Sequence, residues 1–204
     1  NGSLHRVIKG ELKLDETKKQ ICIIGIASAM YHLHRSHIAH LNLKTSNVLL
    51  DSNFYPKVCD FGLNRKYSKD DYKVNIAPEL VDKDPADFNE DELKKCDVYS
   101  FAILCYEIIT GKIPFDGLKS SQVYQNVIQG KALSFTGVNI SESFEKLIND
   151  CYQHDPAKRP DFQHIYSSLI DDCSLIINDH VKIEDLSKYI QSLGENMTER
   201  GKEK

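Results

Sequence analysis

The sequence lacks tryptophan, and its 204 residues include only two methionines, six prolines and ten glycines. Proline and glycine are too few for a collagen-like or low-complexity chain, and 41% hydrophobic residues are too many for a disordered one. No apolar run reaches the roughly 18 residues that a membrane span requires, and no charged-then-apolar leader opens the chain. A globular protein remains, with room for one large domain or one domain and a short tail.

Neither sign of charge dominates, because 26 basic residues face 30 acidic ones and the net charge is −4. The basic residues are scattered, whereas a nucleic-acid-binding protein is expected to concentrate them, so no nucleic-acid partner is predicted. The cysteines lie far apart without a C-x-x-C pair, which argues against a disulfide scaffold or a zinc site. We expect reduced thiols in an intracellular, cytoplasmic setting at Cys22, Cys59, Cys96, Cys105, Cys151 and Cys173.

Apolar periodicity predicts a mainly helical body. Helices are expected over 14–36, with Asp15 or Thr17 as cap, over 98–109, near 144–151 and 162–169, and more weakly over 183–193. The stretch 98–109 (VYSFAILCYEII) has one charged residue in twelve, which is typical of a helix buried in a domain. Gly111 and Pro114 are expected to end it.

A small β element interrupts this helical pattern. Two short apolar runs, 48–50 and 57–59, flank the turn-forming residues Asp51-Ser52-Asn53 and predict a hairpin. The following stretch, 60–96, is polar and irregular, so most of it is expected to be loop.

Polar residues flank the predicted hairpin in an unusual order. Residues 40–47 read HLNLKTSN before it, and residues 60–62 read DFG after it. This arrangement resembles the protein kinases, whose catalytic loop H-R-D-L-K-x-x-N is followed by a hairpin and D-F-G. Further family-like motifs follow in the family's order: APE at 77–79, DVYSF at 97–101, and CY, DP and RP-x-F between 151 and 162.

The resemblance implies a fold and a domain organisation. It implies a mainly α, protein-kinase-like C-terminal lobe with a small hairpin over 1–172. The sequence pattern of the remaining tail, 173–204, predicts a short helix and a polar, frayed end from Glu195 to Lys204. The D-V-x-S-F and R-P-x-F forms resemble the tyrosine-kinase-like branch, whereas Lys44 gives the serine/threonine form of the loop. The N-terminal lobe, with its glycine-rich loop, is absent from these residues, and the start at Asn1 rather than Met indicates a piece of a longer protein.

The resemblance also implies a nucleotide site that uses ATP and Mg²⁺. Asp60 and Asn47 would be the metal ligands, because Mg²⁺ prefers hard oxygen donors. Lys44 would lie beside the γ-phosphate, and Leu49 would form part of the floor under the adenine. The alternative is that Asp60 and Asn47 are ordinary turn residues at strand ends.

Three departures from the family pattern affect the side that acts on protein. Asn42 occupies the position of the catalytic aspartate and is a degenerate general base. Leu41 replaces the arginine that would bind an activation-loop phosphate, and Tyr72 stands where the family usually has threonine. Two functions therefore remain: a serine/threonine protein kinase of impaired activity, or a pseudokinase that acts as a signalling scaffold. Protein substrates or signalling partners are expected in either case.

Two features are expected to hold the core. Asp97 opens a buried helix and needs hydrogen-bond donors, which the resemblance places in the catalytic loop near His40. Glu79 and Arg159 match the family's buried ion pair; the alternative is two solvated charges. Catalytic-loop and helix-end positions are favoured over a zinc site for the histidine cluster His32, His34, His37 and His40.

Overall fold

The computed structural model describes residues 1–61, 68 and 72–200, with only the backbone given for 195–200. Within that part of the chain a three-stranded sheet accompanies seven α-helices, which confirms the mainly α fold. The strands are β1 (Gly2–Ser3), β2 (Val48–Leu50) and β3 (Pro56–Val58). The helices are α1 (His5–Ile8), α2 (Glu16–Arg35), α3 (Glu90–Thr110), α4 (Ser120–Ile128), α5 (Glu142–Cys151), α6 (Phe162–Asp171) and α7 (Ile183–Arg200).

Helix α2 runs through the core and begins where the sequence predicts. Asp15 is its N-cap, and the Asp15 side chain accepts a hydrogen bond from the Lys18 backbone N–H at 2.8 Å. The buried surface of α2 is wider than the single face that was predicted, because every residue from Gln20 to Ser28 is buried. A helix surrounded on all sides loses the amphipathic pattern on which such predictions depend.

Helix α3 begins eight residues earlier than predicted, so the expectation of loop is wrong for residues 90–96. Asn89 and Glu92 form a capping box, with reciprocal hydrogen bonds of 3.0 and 2.8 Å. The first turns are charged because they lie at the surface, and apolar periodicity does not detect them. The helix ends at Gly111 as predicted, in the left-handed conformation (φ 68°) that favours glycine.

The predicted hairpin is confirmed, and it carries a third strand that the sequence analysis missed. Strands β2 and β3 are antiparallel, with Val48 opposite Val58, and β1 pairs on the other side of β2, with Gly2 opposite Leu50. Strand β1 has only two residues, which are too few to show the alternation of apolar and polar residues by which a strand is predicted. The short helices α1 and α4 were missed for the same kind of reason, since α1 buries no residue and α4 buries only Val123 and Val127.

The segment after α6 packs onto α2. Its helix α7 is longer than the short helix expected, and its backbone is helical to Arg200, beyond the expected frayed start at Glu195. Leu186 and Tyr189 of α7 are buried. None of the helices in the described residues is long and apolar enough to cross a membrane.

Candidate nucleotide and catalytic-loop site

Asp97 anchors the segment 40–47, which is called here the catalytic loop. This fully buried carboxylate in α3 accepts hydrogen bonds from the backbone N–H groups of His40 and Leu41, both at 2.7 Å. The ring Nε2 of His34 lies 2.9 Å from the same carboxylate. A buried charge is tolerated when it is fully hydrogen-bonded, and the predicted role of Asp97 is confirmed.

The loop backbone is held in an unfavourable conformation at Leu41. This residue has φ 59°, in the left-handed region that disfavours a branched side chain, and it is buried. Such a conformation persists when the surroundings determine it, and here the Asp97 carboxylate does so through the Leu41 N–H. Leucine at this position presents no guanidinium group that could bind a phosphate.

A second buried carboxylate, Glu107, supports the middle of the loop. The Thr45 hydroxyl donates a 3.0 Å hydrogen bond to Glu107 Oε2, and His5 Nδ1 lies 3.4 Å from the same hydroxyl oxygen. Burial raises the pKa of the Glu107 carboxyl to about 7, although the hydrogen bond from Thr45 acts in the opposite direction. The sequence analysis assigned Glu107 no role; its signal was that it is the lone charge in the apolar stretch 98–109.

The hairpin places Asp60, one predicted metal ligand, next in sequence to a residue that is hydrogen-bonded to Asn47, the other. The backbone N–H of Cys59 donates to the carbonyl oxygen of Asn47 at 3.0 Å, and Asp60 is the next residue. Asp60 is exposed and has φ 60°. Its carboxylate therefore follows directly on a residue that is bonded to Asn47.

The side chain of Asn47 is oriented by the catalytic loop. Its Nδ2 donates to the carbonyl oxygen of Asn42 at 2.9 Å, and Ser46 Oγ donates to its Oδ1 at 3.3 Å. Because Nδ2 is held by the loop, Oδ1 keeps a lone pair for a further partner. One amide oxygen and one nearby carboxylate fit Mg²⁺, which takes few protein ligands and keeps several waters.

The remaining predicted site residues of the loop and hairpin are partly or largely exposed. Asn42 and Lys44 are half-buried, and the Asn42 backbone N–H donates to His40 Nδ1 at 3.3 Å. Leu49 in β2 is 45% exposed, and Phe61 beyond β3 is 50% exposed. Gly62, the last residue of the DFG motif, lies outside the described residues.

The predicted ion pair between Glu79 and Arg159 is confirmed. Two guanidinium nitrogens of Arg159 bind the two carboxylate oxygens of Glu79 at 2.5 and 3.0 Å, and the Arg159 side chain is fully buried. Arg159 also donates to the backbone carbonyl oxygens of Lys95 and Gln153. The bidentate pair thus joins the APE segment to α3 and to the turn before α6.

Tyr72 turns into the protein instead of toward the catalytic loop. It is 1% exposed, and its hydroxyl donates to the carbonyl oxygen of Ile76 at 2.8 Å and lies 3.5 Å from the Tyr99 hydroxyl. Its ring packs edge-on against Tyr124 of α4, with 5.2 Å between centroids. Burial raises the pKa of Tyr72 well above its ordinary value.

Two members of the histidine cluster are engaged separately: His34 contacts Asp97, and His37 lies 3.0 Å from Glu90 at the surface. Within the ranges that the structure describes, no three histidine, cysteine, aspartate or glutamate side chains are grouped to hold a metal ion.

Comparison with known proteins identifies the family. The family model for protein tyrosine and serine/threonine kinases matches residues 1–169. The chain is 33% identical, over 82% of its length, to the probable serine/threonine-protein kinase drkC of Dictyostelium discoideum, of which it spans 23%. It is 34% identical, over 82% of its length, to the probable serine/threonine-protein kinase SIS8 of Arabidopsis thaliana, of which it spans 17%.

A third relative is named as a kinase domain-like protein and not as a kinase. The chain is 28% identical, over 78% of its length, to the mixed lineage kinase domain-like protein of Mus musculus, and it spans 35% of that protein. The chain belongs to the protein tyrosine and serine/threonine kinase family, and it covers well under two thirds of each of these relatives.

Proposed function

We propose that this chain is the C-terminal lobe of a tyrosine-kinase-like serine/threonine kinase domain that is catalytically impaired. The observation that carries the proposal is Asn42, which occupies the family's base position in a loop that Asp97 anchors as the family resemblance predicts. A carboxamide has no negative charge and does not take the proton from an acceptor hydroxyl. The loss of a positioned general base costs roughly two to four orders of magnitude in rate.

The proposed nucleotide site rests on residues whose types match those of the family's motifs. Asp60 and the Oδ1 atom of Asn47 would hold Mg²⁺, Lys44 would pair with the γ-phosphate of ATP, and the exposed side chain of Leu49 would lie under the adenine. When bound, Mg²⁺ neutralises the charge that develops on the phosphoryl group. The whole protein would act on protein substrates or signalling partners in the cytoplasm.

A second candidate function is a pseudokinase that serves as a scaffold or allosteric module. Leu41 and Tyr72 favour it, because both positions act on the protein-substrate side in active members. The Tyr72 hydroxyl is already bonded to Ile76 inside the lobe, so it does not replace the family's threonine at the catalytic loop.

The two functions differ in what Asn42→Asp does in the whole protein. If the missing base is the main deficit, this variant raises the rate of phosphate transfer from labelled ATP at least tenfold. Asp60→Asn in the same background serves as the matched control and abolishes the gain. An Asn42→Asp protein that transfers no more phosphate than the natural one contradicts the impaired-enzyme proposal and favours the scaffold.

The 204-residue chain by itself is expected to bind Mg²⁺–ATP weakly, because it has no glycine-rich loop to cover the phosphates. A ligand at 100 times its Kd stabilises a fold by about 2.7 kcal/mol, so weak binding leaves the melting temperature unchanged. Thermal denaturation with millimolar Mg²⁺–ATP checks this. A clear rise in Tm that Asp60→Ala removes would show a self-sufficient nucleotide site and contradict the expectation.

A further inference from the structure

The segment after the family match is fastened to α2 by specific contacts. The match ends at residue 169, and the chain then continues along α2 into α7. Gln20, fully buried in α2, donates from Nε2 to the Leu175 carbonyl oxygen at 3.1 Å and accepts from the Ile177 N–H at 2.9 Å. Thr17 Oγ1 accepts from the Lys182 N–H at 2.9 Å, directly before α7 begins.

Helix α7 is seated on α2 at a glycine. Tyr189 is 3% exposed, and a methyl group built on Gly25 would lie 2.1 Å from the Tyr189 hydroxyl oxygen. The same methyl group would lie 2.5 Å from Cγ of Pro56 at the start of β3. Both distances are below any normal contact, so the missing side chain at Gly25 is what allows α2, α7 and β3 to meet.

The turn of the hairpin shares this contact. The ring of Tyr55 lies 4.5 Å from that of Tyr189, measured between centroids. Tyr55 is tied to the end of β2, because its N–H donates to Asp51 Oδ1 at 3.0 Å and its carbonyl oxygen accepts from the Asp51 N–H at 3.1 Å. The turn that joins β2 to β3 is therefore packed against α7.

The other end of the same hairpin carries the candidate metal ligands. Asn47 directly precedes β2, and Asp60 is the second residue after β3. Three residues of strand span about 10 Å, so a displacement of the turn is transmitted to both ligands through a short, hydrogen-bonded ladder.

We propose that α7 is a positioning element: with Tyr189 seated at Gly25, it clamps the β2–β3 hairpin and thereby sets the placement of Asn47 and Asp60. The proposal concerns the order of the hairpin and does not depend on whether the protein binds a nucleotide or transfers phosphate.

The first test uses the direction of the change in Tm for Gly25→Ala in the 204-residue chain. Alanine is a better helix former than glycine, so a Gly→Ala change within a helix raises stability where space allows. We expect Gly25→Ala to lower Tm, because the added methyl group displaces Tyr189 or Pro56. The matched control is Gly194→Ala in α7, where a methyl group meets nothing within 4 Å and Tm should hold or rise. A rise in Tm for Gly25→Ala overturns the proposal.

The second test measures whether the hairpin depends on α7, and it decides the question if Gly25→Ala does not fold. Tyr189→Ala is expected to speed hydrogen exchange at the Asp51 and Cys59 amides at least tenfold, while the amides of α5 keep their protection. Lys188→Ala, on an exposed neighbour, is the control and leaves the hairpin protected. Unchanged exchange at the hairpin in Tyr189→Ala, or equal acceleration in α5, overturns the proposal because the effect is then absent or only global.

Discussion

The two faces of the catalytic loop differ in burial and in how far their residues match the family's motif. The odd-numbered residues from Leu41 to Asn47 are buried, whereas Asn42, Lys44 and Ser46 between them are half-buried or exposed. The inner face is held by Asp97 and Glu107. The outer face has an amide at Asn42, where the family has its base. The buried residues thus hold the loop in place, so the outer residue Asn42 can differ from the family's aspartate while the anchor stays. Asn47 belongs to both groups, because it is buried and is also a candidate metal ligand.

The largest effect is expected from the buried Glu79–Arg159 ion pair, which joins the APE segment to α3. Glu79→Ala leaves Arg159 as a fully buried, unpaired cation, which should lower the free energy of unfolding by about 3–5 kcal/mol. Urea denaturation measures it. The matched control is Asp150→Ala, which breaks the exposed Lys146–Asp150 pair of α5 and should cost less than about 1 kcal/mol. Equal losses in the two variants would contradict the importance given to burial.

The next effect concerns Glu107 and pH. The folded pKa is raised to about 7 from an ordinary value of 4.5, so the folded state holds its proton where the unfolded chain has lost it. Stability from this group is therefore present below pH 4.5 and is lost as pH rises to 7, by about 3 kcal/mol in total.

Glu107→Gln removes that titration and keeps the size of the side chain. Between pH 4.5 and 7, the difference in unfolding free energy between the natural protein and the variant should therefore change by about 3 kcal/mol. The natural protein should be the relatively more stable of the two at the lower pH. Parallel pH profiles of the two proteins would show that Glu107 does not titrate in the window.

A smaller effect is expected from Asp97→Asn, which keeps one oxygen acceptor and places an NH₂ group against the second loop donor. One buried N–H is left without an acceptor, at about 1–3 kcal/mol. Urea denaturation gives the loss, and faster hydrogen exchange at the His40 and Leu41 amides locates it. Asp91→Asn, on the exposed first turn of the same helix, is the control. Unchanged exchange at both loop amides would argue against Asp97 as the anchor.

The smallest effect is expected on the outer face. Asn42→Ala and Lys44→Ala should each change the unfolding free energy by less than about 0.5 kcal/mol, because partly exposed side chains away from buried networks contribute little. Thermal denaturation compares them with Asp97→Asn. A loss as large as that of Asp97→Asn would mean that the outer face also holds the fold together.

Much of this arrangement was readable before the structure. The order of the motifs predicted the kinase-like lobe, the hairpin between Asn47 and Asp60, the anchor at Asp97 and the Glu79–Arg159 pair. Each depends on residue types at fixed spacings, and a capping residue or a buried charge has few structural solutions. The true start of α3 was also encoded, in the capping box at Asn89, although apolar periodicity passed over it.

The sequence by itself determined the family, the lobe and the loss of a carboxylate at Asn42, because these follow from residue identity and order. Tertiary structure alone decided that Glu107 accepts a hydrogen bond from Thr45 and that the Tyr72 hydroxyl is hydrogen-bonded inside the lobe. It also decided that Tyr189 packs over Gly25. Apart from the hydrogen bond between Tyr72 and Ile76, these contacts join residues 27 to 164 positions apart, and their energies depend on burial and on which atoms meet. Neither burial nor the meeting of particular atoms is a property of a local stretch of sequence, so these contacts exist only in the folded chain.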